Sequence, residues 1–240
     1  MALPKIDTPV YEIDLPLSKK HIKFRPFLVK EQRNLLMALE ADDTETIQQN
    51  IRQVLINCTL TENINFETLP IVDVEYYFLN LRARSVGEVV SNKYKCNNEV
   101  DGKECGNIMD VDINILDINI ENKKVNDEIK INDKITVKLK YPQFSIVKRA
   151  ANTDSITDLA FDMIAESIEY IYDGEQFYYS KETDPAELIE FVESLNQEQF
   201  SKLEEFFNNV PALNKAVEMD CKKCGFHHTI NVEGLESFFG

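Results

Sequence analysis

The sequence has no tryptophan and little glycine or proline, with seven and eight of these residues among 240. Such a composition argues against a disordered or fibrous chain. No apolar run approaches the roughly 20 residues that cross a bilayer, and the first 25 residues lack the apolar core of a signal peptide. We therefore expect a folded cytoplasmic protein with no membrane partner, in which cysteine thiols stay reduced.

Basic side chains are also scarce. The sequence has 26 lysine and arginine residues against 42 aspartate and glutamate residues, which gives a net charge of −16. Residues 151–210 hold 15 acidic and 2 basic side chains, whereas Lys19 to Arg33 holds six basic side chains and one acidic side chain. Because an acidic surface repels phosphate, we expect no nucleic-acid partner. The acidic stretch is interpreted either as a solvated surface or as a docking face for a basic protein.

Signatures of catalysis are missing. The sequence contains no phosphate-binding glycine loop, no metalloprotease helix motif and no nucleophile elbow. Carboxylates in the predicted helices, such as Asp154, Asp158 and Asp162, fall on the solvent face. We therefore predict that the protein is not an enzyme, has no catalytic residues and takes no small-molecule substrate.

The hydrophobic pattern predicts an α+β fold, with helical N- and C-terminal segments around a central antiparallel β region. Residues 1–87 are predicted to form a β-hairpin followed by helices, and residues 88–141 a β-rich segment. Residues 142–210 form an acidic helical segment whose apolar stripe runs from Ile156 to Ile171. Residues 211–240 form a C-terminal hairpin that closes onto the β region. We expect the four segments to form one composite domain.

Cap and turn residues mark the helix boundaries: Asp43 or Thr44, Gly87, Asp173-Gly174, Asp184 before Pro185, and Asn196 with Gln199. Cys58 continues an apolar stripe of the second predicted helix, so it is interpreted as a buried small hydrophobic residue. Most aromatic groups are interpreted as core. The "FYY" at 177–179 and the terminal "SFFG" are nonetheless candidates for anchors at a protein interface.

The other four cysteines form two pairs in predicted turns between strands: Cys96, Cys105, Cys221 and Cys224. Gly106 or Gly225 follows the second cysteine of each pair, which suits a tight turn whose amides point back at the sulfurs. Two such hairpins form a zinc ribbon when four thiolates surround one ion. Eight residues separate Cys96 from Cys105, and Asp101-Gly102 predicts a turn that brings the two together. We therefore predict one structural zinc per chain, bound by these four cysteines.

Two alternatives to this ligand set remain open. The Cys221–Cys224 pair has the spacing of a redox dithiol, although it lacks the strand-to-helix setting that activates such a thiol. His227 or His228 could replace one cysteine as a ligand. Nearby lysines could offset the negative charge of the thiolates: Lys95, Lys103, Lys222 and Lys223. With four thiolates bound, no coordination position is left for water or substrate, so the metal would be structural rather than catalytic.

Three stretches together resemble a known family: "ALPKIDTPVYEIDLP…KHIKFRPFLVKEQRNLLMALE", "YYFLNLRARSVGE" and "GLESFFG". Their order, with the cysteine pairs between them, resembles the baseplate hub family of T-even-type (T-four-like) contractile-tailed bacteriophages over nearly the whole chain. The resemblance implies a non-enzymatic structural or assembly role in the tail baseplate hub, as a hub subunit or as the hub assembly catalyst, a chaperone.

The same resemblance implies that the partners are other baseplate hub proteins of the same phage. It places the protein in the host cytoplasm during assembly and, if it is retained, in the virion. The predicted zinc ribbon alone leaves a second function open, that of a zinc-ribbon protein that binds nucleic acid or associates with transcription.

Overall fold

A computed structural model describes residues 6–40, 44–120, 125–150 and 155–233. Within these ranges the helices are α1 (Val29–Glu40), α2 (Thr44–Cys58), α3 (Ile71–Val86), α4 (Ser145–Ala150), α5 (Ile156–Ser167), α6 (Pro185–Glu193) and α7 (Gln197–Asn208). The strands are β1 (Tyr11–Asp14), β2 (His21–Phe24), β3 (Val89–Lys95), β4 (Glu99–Val100), β5 (Lys103–Glu104), β6 (Ile108–Asn114), β7 (Asn119–Ile120), β8 (Glu128–Lys130), β9 (Thr136–Leu139), β10 (Ile168–Tyr172), β11 (Phe177–Tyr179), β12 (Leu213–Asp220) and β13 (His227–Glu233). None of the helices in these ranges is long and apolar enough to cross a membrane. The chain therefore mixes helices with antiparallel sheets, as predicted.

The N-terminal hairpin and the first three helices share one hydrophobic core. Strands β1 and β2 pair antiparallel with Tyr11 opposite Phe24, which confirms the predicted hairpin. The ring of Phe24 packs edge-on against Tyr77 of α3, with the ring centroids 5.3 Å apart. The apolar stripe of α2 faces the same core, and Cys58 is buried within it, as predicted.

Hydrogen bonds to Asp73 connect the turn of this hairpin to α3. Its side chain is 0% exposed, and its two carboxylate oxygens accept the backbone N–H groups of Leu17 and Ser18, each at 2.8 Å. Two charge-assisted hydrogen bonds therefore offset the cost of burying this carboxylate. The helix ends where the sequence predicts, with Gly87 at a φ of 120°.

Two further hairpins pack against α3 through a second core. Strands β3 and β6 pair antiparallel, and so do β12 and β13, with β7 added at the free edge of β12. Leu79 of α3, Ile113 of β6, Leu213 of β12 and Val232 of β13 are buried together in this core. Both hairpins are thus held by the same packing, so their tips lie close together.

The C-terminal helices pack on one face of a four-stranded antiparallel sheet, ordered β11-β10-β9-β8. Ile129, Val137 and Ile171 lie on its inner face and are buried with Leu188 of α6 and Leu203 of α7. Alternate residues of the same strands therefore lie on the opposite, outer face of the sheet.

The helix predicted from Ile156 to Ile171 is shorter in the structure. Helix α5 ends at Ser167, and both Ile168 and Ile171 lie in β10. The prediction of helix for these residues is wrong because the segment pairs with β9, beginning where the N–H of Lys140 donates to the carbonyl of Ser167 at 2.7 Å. Strands β8 and β9, predicted within one central region, belong to this sheet and not to the β3–β6 ladder.

Several predicted boundaries are confirmed by the hydrogen bonds at helix ends. The Asp184 side chain accepts the N–H of Ala186 at the start of α6, with Pro185 as its first residue. Asn196 and Gln199 form the predicted capping box of α7. Of the two residues proposed to cap α2, Thr44 is the first helical residue and Asp43 lies outside the described residues.

Candidate metal centre

The tips of the β3–β6 and β12–β13 hairpins bring four cysteine side chains together. The Sγ atoms of Cys96 and Cys224 are 3.7 Å apart, and those of Cys105 and Cys221 are 3.8 Å apart. All four sulfurs lie within 4.8 Å of one another. Three of these side chains are buried and Cys224 is half-buried. The structure therefore brings the four predicted ligands to one place.

The two turns use matching backbone hydrogen bonds. The N–H of Gly106 donates to the carbonyl of Cys96 at 3.0 Å, and the N–H of Gly225 donates to that of Cys221 at 2.7 Å. Gly106 has a φ of 64° and Gly225 a φ of 72°, in the left-handed region that favours glycine. This shared geometry explains why glycine follows the second cysteine in both pairs.

The residues between Cys96 and Cys105 form a small hairpin of their own. Strands β4 and β5 pair antiparallel and are joined by Asp101 and Gly102, with φ values of 52° and 75°. The N–H of Cys105 donates to the carbonyl of Asn98 at 2.8 Å and closes this loop at its base. The predicted Asp-Gly turn is confirmed, and it brings Cys105 back beside Cys96.

Polar side chains of each hairpin contact sulfurs of the other. The three contacts are Asn98 Nδ2 to Cys224 Sγ at 3.7 Å, Asn107 Nδ2 to Cys221 Sγ at 3.5 Å, and His228 Nε2 to Cys96 Sγ at 3.2 Å. Hydrogen bonds of this kind reduce the electron density on a thiolate and fix its orientation around a metal. The two hairpins are therefore held together by contacts to the sulfurs as well as by packing.

The two histidines that follow the second cysteine pair take different partners. His228 contacts Cys96 through Nε2, so in this arrangement it serves as a hydrogen-bonding neighbour of a sulfur. His227 Nδ1 lies 2.8 Å from Asp220 Oδ1 in an exposed pair. Within the described ranges, no second group of three or more potential ligands lies close enough together to hold an ion.

Backbone hydrogen bonds lower the pKa of one of the four thiols, and burial raises the pKa of another. The N–H groups of Cys224 and Lys223 bond to the sulfur of Cys221 and lower the pKa of its thiol to about 6. Desolvation raises the pKa of Cys96 above its ordinary value. A cation among the four sulfurs would favour the thiolate form of all of them, because a coordinated thiol loses its proton.

Two of the lysines expected near the ligands make defined contacts. The Nζ of Lys223 donates to the carbonyl of Cys105 at 2.8 Å and so links the second hairpin to the first. The Nζ of Lys95 lies 3.0 Å from the carboxylate of Glu104, which offsets the positive charge of the lysine. Lys223 therefore contributes to the joining of the hairpins in addition to its positive charge.

The sulfur spacing fits a tetrahedral metal site. With metal–sulfur distances of about 2.3 Å, tetrahedral angles place the sulfurs about 3.8 Å apart. Two sulfur pairs, at 3.7 and 3.8 Å, match this value, and all four sulfurs lie within 4.8 Å of one another. A disulfide would need about 2.05 Å. The cluster could therefore hold a metal ion with cysteine at every position of the tetrahedron.

Sequence reasoning missed the three polar side chains that contact the sulfurs. Asn98 and Asn107 each lie two positions after a cysteine of the first pair, which is a regular signal in the sequence. The sulfur that each amide meets belongs to the other hairpin, more than a hundred positions away along the chain. Local spacing gives no information about that contact.

The fold and the site together define a mixed helix-and-sheet protein with a closed four-cysteine cluster that is compatible with metal binding. The family model described as T4 bacteriophage base plate protein matches residues 8–240, nearly the whole chain. The chain therefore belongs to the T4 baseplate protein family, which indicates a structural component of a phage baseplate and confirms the family-level resemblance. No curated protein and no solved structure matches the chain.

Proposed function

We propose that this protein is a non-enzymatic structural or assembly protein of the baseplate hub, stabilised by one zinc ion per chain. The observation that carries the proposal is the family match over residues 8–240. The resemblance of the opening and closing stretches to hub proteins supports the hub rather than another part of the baseplate. Other hub proteins of the same phage would be its partners, first in the host cytoplasm and then in the assembled tail.

Zinc is the metal that the cluster fits best. Cys96, Cys105, Cys221 and Cys224 offer four thiolates, the ligand type that selects zinc over harder divalent cations. Four protein ligands leave no open position for water or substrate, so the ion would stabilise the fold and carry out no reaction. The residues around the sulfurs, mainly Asn98, Asn107 and His228, would orient the ligands.

The zinc would join parts of the chain that are far apart in sequence. Cys105 and Cys221 are 116 positions apart, and the C-terminal sheet with its helices lies between them. A metal bond between the two hairpins would close this intervening segment into a loop. A protein built into a large assembly gains from such a closure, because its surfaces then keep a fixed geometry.

Co-expression of the chain with the baseplate proteins encoded beside it, followed by native mass spectrometry, tests the proposal. We expect one zinc per chain and at least one retained baseplate protein. A metal-free chain would overturn the zinc assignment, and a chain that retains none of its neighbours would overturn the hub role.

The cysteine hairpins also favour a second candidate, a zinc-ribbon protein that binds nucleic acid or associates with transcription. The net charge of −16 opposes it, because phosphate backbones would be repelled. A gel-shift titration with duplex DNA and single-stranded RNA separates the two candidates. Salt-sensitive binding would support nucleic-acid recognition, whereas no shift at micromolar protein would support the baseplate role.

A further inference from the structure

The outer face of the C-terminal sheet carries four aromatic rings in mutual contact. Tyr170 and Tyr172 lie on β10, and Phe177 and Tyr179 lie on the edge strand β11. The strand register places Tyr170 opposite Tyr179 and Tyr172 opposite Phe177, so all four side chains share one face. We call this set the aromatic face. Ile171, between the two tyrosines of β10, lies on the inner face against the helices.

The rings form one continuous cluster. Tyr172 and Phe177 lie 4.6 Å apart between ring centroids, Tyr170 and Phe177 lie 5.1 Å apart, and Phe177 and Tyr179 stack at 6.0 Å. Phe177 is nonetheless 51% exposed and Tyr179 is 47% exposed. Contiguous exposed aromatic surface is the type of surface that supplies binding energy at protein interfaces.

Carboxylates predominate in the chain segment that carries these rings. The segment from Ile168 to Glu182 contains four acidic side chains and one lysine. Beside the rings, the hydroxyl of Tyr170 donates to the carboxylate of Glu128 at 3.1 Å. Lys138, the cation nearest to the rings in the strand register, is paired with Asp127 at 2.8 Å.

We propose that the aromatic face docks a basic surface of another baseplate protein, one that presents arginine or lysine side chains. This inference rests on the proposed function and names the surface and the chemistry of its partner. Guanidinium and ammonium groups stack favourably on tyrosine and phenylalanine rings and also pair with the surrounding carboxylates. The same carboxylates disfavour nucleic acid, although its bases could stack on such rings.

The test compares matched variants of the full chain, each co-expressed with the neighbouring baseplate proteins. Phe177→Ser with Tyr179→Ser removes the two most exposed rings, whose side chains point away from the buried core. Leu36→Ser with Met37→Ser removes exposed apolar side chains of α1 outside the basic Lys19–Arg33 segment and serves as the control. Glu175→Lys reverses an exposed charge beside the rings without changing them.

We expect the double serine variant to bind its baseplate partner at least tenfold more weakly, while the α1 control binds like the wild type. Glu175→Lys should also weaken binding, and that loss should shrink as salt is raised, because salt screens exposed charges. Unchanged melting temperature and zinc content show that each variant is folded. If the serine variant fails to fold, Glu175→Lys still decides the question.

Each result has one meaning. If the wild type retains a baseplate protein and the aromatic-face variants retain it equally well, the proposed function stands and the docking surface is wrong. If the wild type retains none, the proposed function fails first. If the rings instead mediate association of the chain with a second copy, through its basic Lys19–Arg33 segment, light scattering of the purified chain reveals a dimer that the serine variant lacks, and a basic baseplate partner at this face is excluded.

Discussion

If the four cysteines bind zinc as proposed, its removal should lower the stability of the protein by a measurable and predictable amount. Two perturbations achieve it, a strong chelator added to the wild type and the substitution Cys224→Ser. Cys224 is the least buried of the four cysteines, so serine at this position removes a ligand with the smallest change in packing. Both perturbations leave the three hydrophobic cores intact and act on the connection between the hairpins.

The size of the effect follows from the loop that the proposed zinc would close. Cys105 and Cys221 are 116 positions apart, and a cross-link across a loop of that length restricts the unfolded chain by about 5 kcal/mol in the entropic model. Unfolding entropy of about 2.1 cal/mol/K per residue, over 240 residues, converts this to a fall in melting temperature of about 10 °C. This value treats zinc as a cross-link that stays on the sulfurs of the unfolded chain, whereas zinc that is released on unfolding stabilises the folded chain by its binding free energy.

Differential scanning calorimetry with and without chelator, combined with metal analysis, measures the effect. Cys58→Ala is the matched control, because Cys58 is a buried thiol of α2 outside the cluster. It should lower the melting temperature slightly through a cavity and keep the full response to chelator, whereas Cys224→Ser should lose that response. A wild type that releases zinc to the chelator with a shift below about 2 °C would refute the loop-closure reasoning.

Three further predictions concern single side chains. Asp73→Ala should lower the free energy of unfolding in urea by about 2–4 kcal/mol, because the N–H groups of Leu17 and Ser18 lose a buried acceptor. A decrease below about 1 kcal/mol would show that water replaces the carboxylate. Desolvation opposes ionisation of Glu31, but the hydrogen bonds from Arg25 and from the N–H of Leu28, together with the charges of Arg25 and Lys30, outweigh it and lower the pKa of Glu31 below its ordinary 4.5. The stability that ionised Glu31 contributes is present above its unfolded-state pKa of 4.5 and is lost as the pH falls through the lowered pKa of the folded state. On acidification from about pH 7 to pH 3, the melting temperature of Glu31→Gln should therefore fall less steeply than that of the wild type, and equal slopes would contradict the assignment. Gly225→Ala should cost about 1–2 kcal/mol through its positive φ alone, since no atom lies within 4 Å of an added Cβ, and Gly225→Asn should recover part of the loss.

The cysteine hairpins could be predicted because their signals are local. Alternating apolar residues define the strands, and Gly106 and Gly225 mark the turns that the backbone hydrogen bonds require. The buried stripe of α2 was equally clear, since its apolar spacing fits one helical face. In each case the residues that determine the structure lie within a few positions of one another, so no distant partner was needed.

The end of α5 could not be predicted for the opposite reason. Ile164, Ile168 and Ile171 recur at helical spacing, which is compatible with one buried face of a single helix. The same spacing is compatible with a helix followed by a strand, as in α5 and β10, when both face the same core. The choice depends on β9, which lies about thirty residues earlier and offers an open edge for pairing. The donors to the sulfurs are hidden in the same way, because their acceptors lie on the other hairpin.

The separation of the two cysteine pairs has a consequence for how the chain is made. Ribosomes add about 5–20 residues per second, so the 116 positions between Cys105 and Cys221 take about 6–23 s to synthesise. During that time the nascent chain contains only two of the four cluster cysteines, Cys96 and Cys105, a two-ligand half-site that would bind an ion weakly. A polypeptide interrupted between Cys105 and Cys221 stays in that state, so the closed cluster would distinguish chains translated through Cys224 from shorter products before they reach the growing baseplate.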